Sequence, residues 1–125
     1  MRMGKDFYIF FCALVILISE ATAGEVIYFV DLVERNKLFY EKSSNVPFSG
    51  RVKGRKNGML VNGKINGLWI AYLKNGNLSY KANYKRGNLS GLWEFYHDNG
   101  RLSAEGNYEN GKKTGVWTTF FRNGH

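Results

Sequence analysis

Residues 67–90, GLWIAYLKNGNLSYKANYKRGNLS, return 24 positions later as 91–114, GLWEFYHDNGRLSAEGNYENGKKT, with 11 of the 24 residues unchanged. A third start, Gly115-Val116-Trp117, follows at the same interval and brings Asn123-Gly124 with it. Self-similarity at one period of about 20–50 residues marks a repeat architecture, in which each unit is one supersecondary element stacked on the next.

Within a unit, Leu68 to Leu73 is apolar and aromatic, Lys74-Asn75-Gly76-Asn77 is polar, and Leu78 to Tyr84 resumes. Asn-Gly between two such runs is a strong hairpin signal, expected to form a type I′ turn with positive φ at both central residues. Lys85-Arg86-Gly87-Asn88 and Glu109-Asn110-Gly111-Lys112 turn the chain back into the next unit. Alternation sets Leu78, Tyr80, Ala82 and Tyr84 on one face against Ser79, Lys81, Asn83 and Lys85. On the preceding strand Leu68, Ile70 and Tyr72 oppose Trp69, Ala71 and Leu73. Gly or Asn-Gly every few residues leaves no helical period. The spacing predicts tandem β-hairpins pairing into an antiparallel meander, with Gly-Leu-Trp opening each hairpin.

Upstream, residues 48–66 read as a shortened unit. Asn57-Gly58 stands where the hairpin turn is expected, and Asn62-Gly63-Lys64 matches Asn110-Gly111-Lys112. The array is thus expected to run over 48–125, in units of about 48–66, 67–90, 91–114 and an incomplete 115–125. Residues 24–47 form a lead-in, with a hairpin expected over roughly 26–33 and 37–42 and Pro47 kept out of any central strand.

Residues 1–23 have the layout of a secretory signal peptide. Arg2 and Lys5 precede the apolar run Phe7 to Ile18, and Ala21-Thr22-Ala23 places cleavage between Ala23 and Gly24. The run is shorter than the roughly 17–25 residues that span a bilayer as a helix, so an uncleaved membrane anchor is the weaker alternative. The expected location is periplasmic or secreted. Cys12 lies in this segment, so the chain after it has no thiol.

The formal net charge is +8, and removing residues 1–23 leaves it unchanged, because Arg2 and Lys5 offset Asp6 and Glu20. An aromatic share of 16% that recurs with the repeat argues against disorder. A basic surface with interleaved aromatics suits nucleic acid in principle. Export turns that expectation toward an acidic protein, anionic lipid or cell-wall polymer.

The pattern Gly-x-Trp, Tyr, Asn-Gly-x-Leu, Asn-Tyr-x-x-Gly over about 48–125 resembles the MORN repeat, in the variant form of bacterial proteins of the YwqK-type antitoxin family. The stretch VERNKLFYEKSSNVPFSG (33–50) is similar to the lead-in of that family. The resemblance implies an all-β fold, a single-layer twisted antiparallel sheet, and action by protein binding without catalysis, as an antitoxin of a toxin–antitoxin pair. It also implies links to dimerisation, scaffolding and acidic phospholipids. Export departs from this pattern, since an antitoxin for an intracellular toxin stays in the cytoplasm.

No catalytic template is legible. His97 and His125 lack partners at metal-ligand or triad spacing, the carboxylates are scattered, and no nucleophile elbow, P-loop or zinc motif occurs. No enzyme activity, cofactor or metal is expected. Two candidate binding sets remain. One is an aromatic ladder of Trp69, Tyr72, Trp93, Tyr96 and Trp117, whose plainer reading is core. The other is a basic patch of Arg51, Lys53, Arg55, Lys56, Lys81, Lys85 and Arg86, whose plainer reading is a solvated edge. The strand after Gly115 has a partner on one side only, so its free edge is expected to take a second copy or a partner strand.

Overall fold

Asn36 and Lys37, Asn62 and Gly63, Arg86 and Gly87, and Asn110 and Gly111 all have positive φ in the computed structural model, which describes residues 24–124. The expected signal segment lies outside the described residues, apart from Gly24 after its cleavage point. Each pair forms the centre of a two-residue connection, closed by Arg35 with Leu38, Val61 with Lys64, Lys85 with Asn88, and Glu109 with Lys112. Positive φ at both centres is the type I′ geometry, whose twist matches that of paired strands.

The described chain is built from β1 (Val26–Tyr28), a single 3₁₀ turn (Phe29–Asp31), β2 (Leu32–Arg35), β3 (Leu38–Glu41), β4 (Gly50–Lys53), β5 (Lys56–Val61), β6 (Lys64–Ile65), β7 (Gly67–Tyr72), β8 (Leu78–Lys85), β9 (Asn88–Tyr96), β10 (Leu102–Glu109) and β11 (Lys112–Thr119). The main sheet has the order β1-β4-β5-β7-β8-β9-β10-β11, with β6 paired to β5. All its pairings are antiparallel except β1 with β4. The expected all-β, hairpin-built antiparallel sheet is therefore the fold.

The lead-in departs from expectation. Its hairpin is β2 with β3, and Val26–Tyr28 leaves it to run parallel to β4. The reason is burial, because Ile27 finds Val52, Leu60 and Phe48 in the core. The hairpin covers the sheet rather than extending it. Phe29 and Phe39 pack on Trp69 with ring centroids 6.4 Å away, and the Phe39 N–H donates to the Gly63 carbonyl at 2.8 Å. At this end the sheet is not a single layer.

The two kinds of turn are also exchanged. At Asn75-Gly76 and Asn99-Gly100 only the glycine has positive φ. There the Leu73 carbonyl accepts the Gly76 N–H at 3.0 Å, and the Asn75 side chain accepts the Asn77 N–H at 2.9 Å. Asn99 does the same for Arg101 at 3.1 Å. The asparagine contributes its side-chain oxygen, not a left-handed backbone. Asn57-Gly58 is no turn; it lies within β5, and the chain reverses at 54–55.

Gly-Leu-Trp begins its strand only in the first copy, where β7 starts at Gly67. Strand β9 begins at Asn88 and β11 at Lys112, three residues earlier. Gly67, Gly91 and Gly115 instead have positive φ at an irregularity. Ala82 and Tyr84 of β8 face Trp93 and Leu89 of β9, and Glu105 and Asn107 of β10 face Thr118 and Thr114 of β11. Two extra residues are thus absorbed on the side toward the preceding unit. Toward the following unit the same strands pair in regular register, Gly67 with Tyr84, Leu68 with Asn83 and Trp69 with Ala82, then Gly91 with Tyr108, Leu92 with Asn107 and Trp93 with Gly106.

Candidate functional site: an indole-bearing sheet face and a basic rim

Cross-strand partners share a face, so the register fixes one row. It runs from Gly58 to Trp69, Ala82, Trp93, Gly106 and Trp117. Large and small residues alternate because an indole needs room on both flanking strands. A Cβ on Gly58 would overlap the Trp69 ring and come within 2.8 Å of the Leu68 carbonyl oxygen; one on Gly106 would overlap the Trp117 indole. Ala82, between the first two tryptophans, is 0% exposed.

Cover along this face is uneven. Trp69 is 1% exposed beneath Phe29 and Phe39. Trp93 and Trp117 lie beyond that hairpin and are only half-buried. Around them runs a connected aromatic strip. Trp93 stacks on Phe95 at 4.9 Å and touches Tyr80 at 5.9 Å and Tyr108 at 4.9 Å, and Tyr108 meets Trp117 edge-on at 5.2 Å. The Trp117 Nε1–H donates to the Asn107 carbonyl at 3.2 Å, whereas the buried Trp93 Nε1–H has no partner. Burial pushes the Tyr80 phenol up and the Tyr84 phenol up to about 12, the latter helped by the nearby phenols of Tyr80 and Tyr108.

Of the expected ladder, Trp69, Trp93 and Trp117 share this face; Tyr72 and Tyr96 do not. A tyrosine three residues after its tryptophan in an extended strand points the other way. The Tyr96 hydroxyl accordingly bonds Glu94 at 3.1 Å on the opposite face. The residues that build the strip are Tyr80, Phe95 and Tyr108, each brought in by cross-strand register.

The expected basic patch is divided as well. Arg51, Lys53 and Lys81 lie on the face opposite the indoles, since Arg51 pairs with Met59, Lys53 with Tyr28, and Lys81 with Ile70 and Glu94. Arg55 is in the turn between β4 and β5. Lys56 is on the indole face with its Nζ 4.7 Å from the Phe29 ring centroid. Lys85 ends β8, and Arg86 sits in the following turn. Charges consecutive in a strand are separated by its alternation.

What the fold does assemble is a basic rim where the type I′ turns gather. A groove there is lined by Lys37, Lys64 and Arg86. Beside it, a cleft of about 350 Å³ at the edge of the β2–β3 hairpin has Lys37, Lys56 and Lys64 on its walls, Tyr80 and Tyr84 within it, and one carboxylate, Glu34. Among the described residues the one ion pair is Arg122 with Asp98 at 2.6 Å, in the hairpin-tip loops. Lys37 and Lys64 were not legible as site residues, because nothing in the sequence brings the lead-in turn beside the turn at 62–63. Arg86 carries a signal of its own. Asparagine holds the first position of three of the four type I′ turns (36, 62 and 110), and Arg86 holds the fourth with φ 50°. A side chain that is not Gly, Asn or Asp costs about 1 kcal/mol or more in that conformation.

The His97 Nε2 lies 2.8 Å from the Phe120 carbonyl oxygen and ties one hairpin to the next. Among the described residues no group of three or more His, Cys, Asp or Glu side chains is arranged to hold a metal.

Comparison with known families matches residues 62–86 and 89–110 to the MORN repeat variant. Searches of curated proteins and of solved structures each found no match. The matched residues are those that form β6 to β10 and their turns, and the match indicates a repeat module of the binding kind.

Proposed function

We propose that the protein is a non-enzymatic binding module that takes an acidic protein partner on its indole face and adjoining basic rim, in the manner of an antitoxin or immunity protein. The observation that carries this reading is the uneven cover of one face. The hairpin β2–β3 seals Trp69, while Trp93, Phe95, Tyr108 and Trp117 continue the same face partly open, and Tyr80, which touches Trp93, also lines the cleft walled by Lys37 and Lys64. Large aromatics bordered by unpaired cations favour a partner with apolar anchors and carboxylates, because aromatic anchors dominate interface energetics and charge complementarity directs encounter. The sequence-based expectation of export places that partner in the periplasm or outside the cell, and gives the alternative occupant: an anionic lipid or cell-wall surface on which an exported scaffold would sit.

The test is titration of the full chain with poly-L-glutamate, read by tryptophan fluorescence. Lys64→Glu with Arg86→Glu is expected to weaken binding about tenfold, equivalent to about 1.4 kcal/mol. Arg51→Glu with Lys53→Glu, on the other face, should leave it within about twofold by the same arithmetic. Equal losses from both pairs would mean unspecific attraction to a basic chain and would remove the proposal. Pelleting with phosphatidylglycerol vesicles, in the absence of any fluorescence change with the polypeptide, would favour the alternative.

A further inference from the structure

The cleft at the edge of the β2–β3 hairpin has an aromatic floor, lysines at both ends and a carboxylate on its wall. The floor is β8, whose Tyr80 and Tyr84 flank the fully buried Ala82 on the indole face. Lys56 marks the Tyr80 end, because it pairs with Ala71 and Ala71 pairs with Tyr80. Lys64 marks the Tyr84 end. There the Gly87 N–H donates to the Ile65 carbonyl at 2.8 Å, and the Lys64 stem lies over the bare glycine, where a Cβ would meet it at 3.4 Å. Along β8 these ends are roughly 13 Å apart, at about 3.3 Å per residue from Tyr80 to Tyr84. Lys37 and Glu34 come from the hairpin above. Glu34 is the cross-strand partner of Phe39, which packs on Trp69, so this carboxylate lies on the side of the hairpin that faces the sheet.

Among the described residues none of these charges is in an ion pair. The Tyr84 phenol, pushed up to about 12 chiefly by burial, stays protonated and takes no hydrogen-bond partner among the described residues. Three ammonium groups call for an anion, and Glu34 narrows its class. An ionised carboxylate only accepts, so it repels a ligand that offers acceptors alone and favours one that also carries hydroxyl donors. The tyrosine floor adds a demand for an apolar ring face. We infer that this cleft binds a hexuronic acid, as the free sugar or as a residue of an acidic polysaccharide, with its ring over Tyr80 and Tyr84, its carboxylate toward the lysines and its hydroxyls donating to Glu34. The cleft volume of about 350 Å³ is at the small end of ligand pockets, roughly 300–1,000 Å³, which suits a single ring. This site does not rest on the protein partner proposed above, and either can fail alone.

The test is an amide-resolved NMR titration of the full chain with galacturonate, with galactose as its neutral counterpart and with benzoate as a carboxylate lacking hydroxyls. Galacturonate is expected to bind at about millimolar concentration and to shift the amides of Gly63, Lys64 and Gly87, with galactose and benzoate each about tenfold weaker. Lys64→Gln should weaken galacturonate by up to about fivefold, the effect of one exposed charge pair, while Lys53→Gln on the opposite face changes nothing. Glu34→Gln tests the ligand class, because it should weaken galacturonate and strengthen benzoate. Trigalacturonate separates the two sources. A gain of about tenfold or more over the monomer, from engaging the lysines at both ends, assigns the site to a polysaccharide, equal affinity assigns it to the free sugar, and both support the site. Galactose binding as tightly as galacturonate overturns the inference. So does an absence of shifts at these amides, or a Glu34→Gln variant that binds both anions more tightly.

Discussion

Gly58 and Gly106 lie 48 residues apart at equivalent places in the repeat, each beneath an indole, yet adding one methyl group should have very different consequences. At Gly58 the new Cβ overlaps Trp69 and approaches the Leu68 carbonyl oxygen at 2.8 Å. Trp69 has nowhere to go, since it is 1% exposed and held by Phe29 and Phe39. Overpacking of a closed core costs about 1–3 kcal/mol and occasionally more; with both a locked ring and a backbone atom in the way, about 3 kcal/mol is expected at this site. At Gly106 the obstacle is the indole of Trp117 on the edge strand, half-buried and free to swing outward. That movement gives up the hydrogen bond to Asn107 at 3.2 Å, worth about 1 kcal/mol, and some apolar contact. Against this, alanine restricts the unfolded chain and returns about 0.4–1 kcal/mol. Gly106→Ala should therefore cost about 1 kcal/mol, roughly a third of Gly58→Ala. Urea unfolding of both variants, with unchanged m-values, measures the difference. A double-mutant cycle of Gly106→Ala with Trp117→Ala should show the cost vanish when the indole is absent. Equal costs at the two glycines would refute the idea that the β2–β3 hairpin locks one tryptophan and leaves the other free.

Two further outcomes follow from the geometry. Tyr84, pushed up to about 12 first by burial and then by its phenolic neighbours, ionises more readily in the unfolded chain than in the folded one. Its contribution to stability is complete below about pH 10, the reference value for a free phenol, and is lost as pH rises toward about 12; denaturation across that window should show the decline, and Tyr84→Phe should remove most of its slope. Arg86→Asn, which puts in the fourth type I′ turn the residue found in the other three, should stabilise the chain by about 0.5–1 kcal/mol. Thermal denaturation checks it, and a loss of stability would mean that the turn depends on the arginine for contacts that outweigh its left-handed backbone.

The repeat period, the strands and the antiparallel meander were legible because Asn-Gly, Gly-Leu-Trp and the alternation of residues 78–84 are local signals. Phase within the period was not. Gly-Leu-Trp is the most conspicuous tripeptide, so it reads as the start of a unit, but in the second and third copies its glycine marks an irregularity three residues into a strand. The turn types exchanged for a related reason. Asn-Gly is favoured both where the backbone is left-handed and where an asparagine oxygen caps a longer loop, and only the strand register separates the two uses. Tyr72 and Tyr96 were misplaced because the repeat groups residues by sequence interval, while a strand groups them by parity. Lys37 and Lys64 were invisible as neighbours, since the contact between the lead-in turn and the turn at 62–63 depends on where Phe39 and Phe48 are anchored by backbone bonds.

The irregularity is what gives the array a direction. Strands β9 and β11 each absorb two extra residues toward the unit before them, while the Gly-x-Trp segments of β7 and β9 pair in regular register with the unit after them. A sheet built this way can be sealed at its first end by a dissimilar element, here β1 and the β2–β3 hairpin. Among the described residues, β11 repeats the same Gly-x-Trp segment and pairs with β10 on one side. Burial follows the same gradient, from Trp69 in the core to Trp117 on the edge strand. The half-open aromatic strip therefore lies away from the capped end. That gradient is a consequence of repetition. Equivalent tryptophans sit in unequal cover because only the first of them lies beneath the β2–β3 hairpin.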